Sequence, residues 1–136
     1  MMTLLWLLVG FIGSGLLIKF TKDKSRKAQH NIFGVALIIA AVIYVGFALF
    51  KGATTWLFIE LCGVVLYGGM FILSKRNLPY LLAIAWLTHP VWDTALHLYG
   101  AGASFAPTWY AIMCISFDIT VASYLFMQVY RYKQQN

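Results

Sequence analysis

Apolar runs of bilayer-spanning length follow one another along this chain, separated only by short charged or Gly/Pro-marked breaks. Five such segments can be drawn: about Thr3 to Ile18, Ile32 to Phe50, Thr54 to Leu73, Leu78 to Leu98 and Thr108 to Tyr130. A membrane-crossing helix needs roughly 17–25 residues, so the last four qualify by length and the first is marginal. Lipid offers no partners for backbone N–H and C=O groups, which leaves helices as the spanning form for segments of this kind. Composition agrees, because 62% of the residues are hydrophobic, only 10% are charged, and mean hydropathy is +0.80. The expectation is an all-α, polytopic membrane protein, a single transmembrane bundle of five helices over residues 1–136.

The breaks read "KFTKDKSRKAQHN", "KGA", "SKRN" and "YGAGASFAP". The last holds a Gly-x-Gly without the lysine or helix start of a phosphate-cradling loop. Met1 to Gly15 carries no charged side chain and the lysines come after it, the reverse of a cleavable signal peptide, so the first segment reads as an uncleaved anchor. Lys and Arg accumulate on the cytoplasmic side of a membrane protein. With the N-terminus outside, Lys19, Lys22, Lys24, Arg26, Lys27, Lys75, Arg76, Arg131 and Lys133 fall on the cytoplasmic side with the C-terminus, and only Lys51 falls outside. This asymmetry accounts for the net charge of +6, so no nucleic-acid partner is expected. The expected partner is the lipid bilayer, and the first loop reads as a solvated, orientation-setting segment ahead of the alternative of contact with anionic headgroups.

Trp56, Tyr99, Trp109 and Tyr110 are expected at the outer interface, and Tyr80, Tyr130 and Tyr132 at the inner one. Gly10, Gly13, Ala36, Ala40, Gly63 and Gly68 are expected to let helices approach closely. Cys62 and Cys114 lie in apolar runs and read as small buried hydrophobes. His30 reads as a solvated interface histidine.

Against this apolar background "HPVWDTALHL" stands out. His89, Asp93 and His97 are spaced four apart and so share one stripe of the fourth segment. Tyr110, Cys114 and Asp118 repeat that spacing on the fifth. If the two segments return antiparallel through a short connection, His97 shares a depth with Tyr110, Asp93 with Cys114, and His89 with Asp118. Glu60 on the third segment falls near the level of Asp93. An aspartate at the centre of an isolated membrane helix costs about 2.5–3.5 kcal/mol. An interhelical hydrogen bond returns only about 0.6–2 kcal/mol. The stripe therefore reads as a site between the third, fourth and fifth segments, open to the non-cytoplasmic side, and the competing reading is a structural Asp–His lock. Pro90 adds a carbonyl, that of Trp86, which loses its helical donor.

Three chemistries stay open for such a site. His89, Asp93 and Asp118, with Glu60, suit a divalent metal such as zinc or iron. His97 lies about 12 Å from His89 along a regular helix, too far to share one ion. Alternatively, His89, Asp93, Asp118 and Glu60 act as metal-free catalytic acids and bases on a lipid or other hydrophobic small molecule, in a pocket lined by Trp86, Trp92, His97, Trp109, Tyr110 and Cys114. The third is proton or cation binding or transport through the same groups.

The combination His89-x-x-Trp92-Asp93-x-x-x-His97, Pro107-x-Trp109-Tyr110 and Cys114-x-x-x-Asp118 resembles a group of small bacterial multi-helix membrane proteins of unassigned function. The resemblance covers about the last third of the chain. It implies a multi-pass protein of the bacterial inner membrane and groups these residues, and it supplies no activity. Members of that group often carry paired histidines after Trp-Asp, whereas Leu96 takes the first of those places here.

Overall fold

The computed structural model describes residues 2–51, 54–76 and 78–135. Gly52 and Ala53 of the "KGA" break and Asn77 of "SKRN" lie outside the described residues. Six helices occur among the described residues, with no strand: α1 Met2–Thr21, α2 Arg26–Phe50, α3 Thr54–Ser74, α4 Leu81–Tyr99, α5 Gly102–Phe105 and α6 Thr108–Gln135. Four of them are long and apolar enough to cross a membrane: α1, α2, α3, and α6 up to Gln134. The 19-residue α4 carries the polar stripe, which lowers its apolarity.

The helices overrun the apolar runs at their charged ends. The break expected over residues 19–31 shrinks to 22–25, because α1 continues to Thr21 and α2 starts at Arg26. Ser25 caps α2 by accepting from the Ala28 N–H at 3.3 Å. Long basic side chains can keep their stems on apolar surface and their charges in water, so charge does not end a helix here. Similarly α6 runs past Tyr130 to Gln135 through residues that favour helix. The short α5 lies in a connection that the sequence presented only as a Gly/Pro-marked break.

The helices pack in the order α1, α6, α4, α3, α2, with α1 against α6, α4 against both α6 and α3, and α2 against α3. Apolar side chains cover the outside: Leu4, Phe11, Leu16, Val65 and Val91 are all at least half exposed. Polar groups are turned inward, the arrangement expected in lipid. Two apolar clusters fill the interior. One is built on Phe33, Leu37, Tyr67, Phe71, Trp86 and Val121, the other on Tyr44, Ala48, Phe105, Ala106, Tyr110 and Cys114. The polar stripe of α4 lies between them.

Several aromatic and small residues sit differently from their sequence reading. Tyr99, Trp109, Tyr130 and Tyr132 are exposed, as interface anchors would be, but Tyr110 is buried. Its ring packs on Tyr44 and Phe47 at 5.5 and 5.4 Å, where burial of the ring outweighs anchoring. Cys62 is exposed on α3, whereas Cys114 is buried, because only the latter faces the neighbouring helices. His30 is half-buried and bonded to Ser74 rather than solvated.

Gly10 lets α1 approach the backbone of α6 closely. A Cβ there would overlap the Met113 carbonyl and the Ser116 hydroxyl of α6. The same contact is reinforced by Ser116 Oγ donating to the Leu7 carbonyl at 2.7 Å. Gly68 has nothing within 4 Å of such a Cβ, so it mediates no close approach. Gly10→Val is therefore expected to loosen α1 and cost about 1–3 kcal/mol, since the obstructing atom belongs to rigid backbone. Gly68→Ala should leave stability unchanged or slightly raised, and thermal unfolding in detergent compares the two.

Candidate functional site

The connection after α4 sets the register of the two helices that carry the stripe. Gly100 N–H returns to the Leu96 carbonyl at 3.1 Å and Ala106 N–H to Gly102 at 2.8 Å. A Cβ at Gly102 would come within 2.8 Å of the Leu96 carbonyl, so the chain can fold back this tightly only with glycine there. Thr108 then starts α6 antiparallel to α4.

That register brings His89 and Asp118 to one level. His89 Nδ1 lies 2.9 Å from Asp118 Oδ2, and both side chains are 1% exposed. Asp93, one turn on from His89, places Oδ2 3.5 Å from the same nitrogen. One ligand-capable atom from each of His89, Asp93 and Asp118 can be chosen so that all lie within 4.8 Å of one another. The Nδ1 proton goes to Asp118, the nearer carboxylate, while neither oxygen of Asp93 has a hydrogen-bond partner among the described residues.

Glu60 reaches this group from α3. It is 2% exposed, its Oε1 is also without a partner, and it lies close enough to His89 and Asp93 to couple to their charges. Trp92 Nε1 and both ring nitrogens of His97 are likewise buried and unbonded. Five side chains on three helices thus carry unpaired polar atoms around the Asp93 level: Tyr44, Glu60, Trp92, Asp93 and His97. An unpaired polar group buried in an apolar interior costs about 1–3 kcal/mol, so the cluster represents a standing deficit.

Two participants have no counterpart in the sequence reading. Tyr44 of α2 is 1% exposed, and its hydroxyl faces Asp93 without a hydrogen bond of normal geometry. Tyr67 of α3 sets its ring edge-on to His89 at a centroid distance of 5.0 Å. The signal available in the sequence was a tyrosine in the middle of an apolar run, where its hydroxyl needs a polar neighbour.

The expected lining residues divide. Cys114 and Tyr110 lie with Tyr44 in the interior on one side of the triad. Trp86 is fully buried, but its indole N–H donates to the Phe33 carbonyl at 3.2 Å, which makes it a bolt between α4 and α2. Trp109 is not brought to the group, because it is 42% exposed and packs on Trp6 of α1 at 5.0 Å. A cavity of about 310 Å³ adjoins the triad, with Ala40, Ile43, Trp86, Tyr110, Cys114 and Asp118 among its walls. Ile39 and Ile43 on its rim are exposed, so it faces the apolar surface between α2 and α6.

The geometry separates two roles for the acids. In metal-free protein, His89→Ala should cost about 3–5 kcal/mol, because it strands Asp118 in the interior. Asp93→Asn should be neutral or stabilising, because it replaces a buried carboxyl that accepts no hydrogen bond and whose ion-pair neighbour, His89, is bonded to Asp118. Reversible unfolding in mixed detergent measures both, and equal destabilisation by the two changes would contradict the assignment of the bond to Asp118.

The family of unknown function DUF6010 matches residues 1–131, and the chain belongs to that family. No curated protein and no solved structure matches it.

Proposed function

We propose that this is a membrane-embedded enzyme in which His89, Asp93 and Asp118 hold a divalent metal ion, zinc or iron, for chemistry on a lipid-soluble small molecule. The observation that carries the reading is the convergence of three ligand atoms within 4.8 Å while both oxygens of Asp93 remain unpaired. A His–Asp lock needs only the 2.9 Å bond to Asp118, and leaves Asp93 without a purpose. Ligand bonds near 2 Å put neighbouring donors about 3 Å apart, close to the 2.9 and 3.5 Å separations found here. An ion at that point would serve as a Lewis acid for a carbonyl or phosphoryl oxygen. Glu60, coupled to His89 and Asp93, would serve as acid or base, and Cys114, Tyr110 and Trp86 line the space for substrate. Trp92 and His97 border the group on the side of Tyr99. The cavity facing the apolar surface suits a molecule that dissolves in the bilayer.

In this reading all five long helices cross the membrane, α4 included, with the N-terminus outside, the C-terminus in the cytoplasm and the group in the outer half. The setting is a bacterial cell membrane. Nine of ten cationic side chains then share the cytoplasmic side, in keeping with the usual bias. A fluorescent reporter that matures only in the cytoplasm should light up on the C-terminus and stay dark on the N-terminus. The opposite pattern refutes the orientation.

Elemental analysis of the purified protein tests the metal. About one zinc or iron per chain is expected, as a mononuclear site requires, lost in Asp93→Asn and Asp118→Asn but kept in His97→Ala. Acid should weaken binding, since the ion and the Nδ1 proton of His89 compete for one place. Protein that takes up no metal, and whose variants behave like the parent, sinks the metal assignment. Native mass spectrometry of co-purified lipids then tests the metal-free acid–base alternative. A cation relay draws support from the unpaired atoms of Asp93 and His97 towards the outer end. Ion flux in proteoliposomes that vanishes with Asp93→Asn would favour that reading over an enzyme.

A further inference from the structure

A second polar feature lies at the other end of the bundle. The first turns of α2 and the last turn of α3 enclose a cavity of about 390 Å³ lined by Arg26, Lys27, His30, Asn31, Ser74 and Lys75. It contains three basic side chains and no acid. Arg26, Lys27 and Lys75 form no ion pair among the described residues. Three of the four acidic residues, Glu60, Asp93 and Asp118, are buried in the interior, and the fourth, Asp23, lies exposed in the turn before α2 and forms no ion pair with Arg26, Lys27 or Lys75 among the described residues.

The side chains are held in place by contacts other than carboxylates. Lys75 Nζ sits 4.1 Å over the Phe71 ring, and the Arg26 guanidinium 4.5 Å over the Tyr132 ring. His30 is fixed by Ser74. The single Ser74 proton goes to the Phe71 carbonyl at 2.6 Å, so the 3.0 Å contact with His30 has Nε2–H donating to Ser74 Oγ. Nδ1 is the remaining polar atom of the His30 ring.

Arg26 and His30 also line an adjoining cavity of about 230 Å³, whose other walls include Pro79, Leu82, Leu125 and Val129. A basic chamber therefore shares two residues with a mainly apolar one. That pairing of surfaces fits an amphiphile with an anionic head and an apolar tail better than it fits a small soluble anion.

We propose that this double cavity binds the phosphate of an anionic lipid, with the headgroup among Arg26, Lys27, His30 and Lys75 and an acyl segment against Leu82, Leu125 and Val129. The proposal uses none of the triad residues and stands apart from the metal reading. Basic pockets between membrane helices are well suited to this chemistry, because a phosphate near the surface gains from each Lys or Arg it meets.

The test uses the full chain in detergent, with phosphatidylglycerol, phosphatidylcholine and inorganic phosphate as separate probes in native mass spectrometry. Phosphatidylglycerol should be retained over phosphatidylcholine. The Arg26→Gln/Lys75→Gln pair should weaken that retention about tenfold or more, given the contribution of each cation near a phosphate. The Arg131→Gln/Lys133→Gln pair removes equal charge from the same end outside both cavities, and should change little. If the first pair yields no folded protein, Lys27→Gln alone probes the same chamber from the exposed start of α2. Equal weakening by the control pair, or equal retention of phosphatidylcholine, overturns the site as a diffuse charge effect. Binding of inorganic phosphate without lipid overturns the lipid assignment in favour of a soluble phosphate compound.

Discussion

The contact on which the bundle most depends is the bond between His89 and Asp118, 2.9 Å long and fully enclosed. Neither residue can face lipid, and each relieves the other only at one relative height of α4 and α6. The bond therefore fixes depth, rotation and neighbour choice together. It explains why α4, whose stripe carries His89, Asp93 and His97, sits between α6 and α3 and not at the edge of the bundle. Its outward face keeps the apolar residues Leu87, Val91 and Leu98. A helix with a polar stripe can reside in a bilayer when protein covers that stripe, and here the flanking helices do so.

The bond does not account for Asp93. That carboxyl lies at ion-pair distance from His89, yet it accepts no hydrogen bond, and Glu60, Tyr44 and Trp92 next to it also hold unpaired atoms. Folding alone would favour an apolar side chain at each of these places, because partly satisfied polar networks are worse than none. The group thus has the character of an arrangement kept against the interest of stability, as functional sites commonly are.

Much of this was legible from residue spacing. Apolar run length indicated the long helices, and the four-residue periods of His89, Asp93 and His97 on one segment and of Tyr110, Cys114 and Asp118 on the next indicated facing stripes on an antiparallel pair. Helix ends were less legible, because lysines and arginines from 19 to 27 suggested a long loop although their stems are compatible with helix. The rotation of single residues was hidden. Cys62 and Cys114 lie in equally apolar runs, and only tertiary packing decides that one faces outward and the other inward. Tyr44 escaped notice because it is a lone hydroxyl with no polar residue at helical spacing. Its neighbours Asp93 and Tyr110 come from α4 and α6, which no local pattern in α2 can announce. Trp109 packs on both Trp6 of α1 and Tyr110, contacts that the pattern of the fifth segment alone does not announce.

The two polar regions of the molecule answer one problem in opposite ways. At the basic end, cations meet aromatic faces and an amide network, in which the Gln29 side-chain amide donates to Lys24 and Lys22 carbonyls at 2.8 and 3.3 Å while its oxygen accepts from Tyr124 and Gln128. The α1–α2 turn is thereby tied to α6 with the amide's donors and acceptor in use. Water and headgroups can complete whatever remains there. In the interior the unpaired atoms around Asp93 lie among apolar side chains, and His89 meets Asp118 and Asp93 through one ring nitrogen, at 2.9 and 3.5 Å. Under the proposed metal reading, an ion would take the place of the Nδ1 proton, so proton and metal would compete for one position.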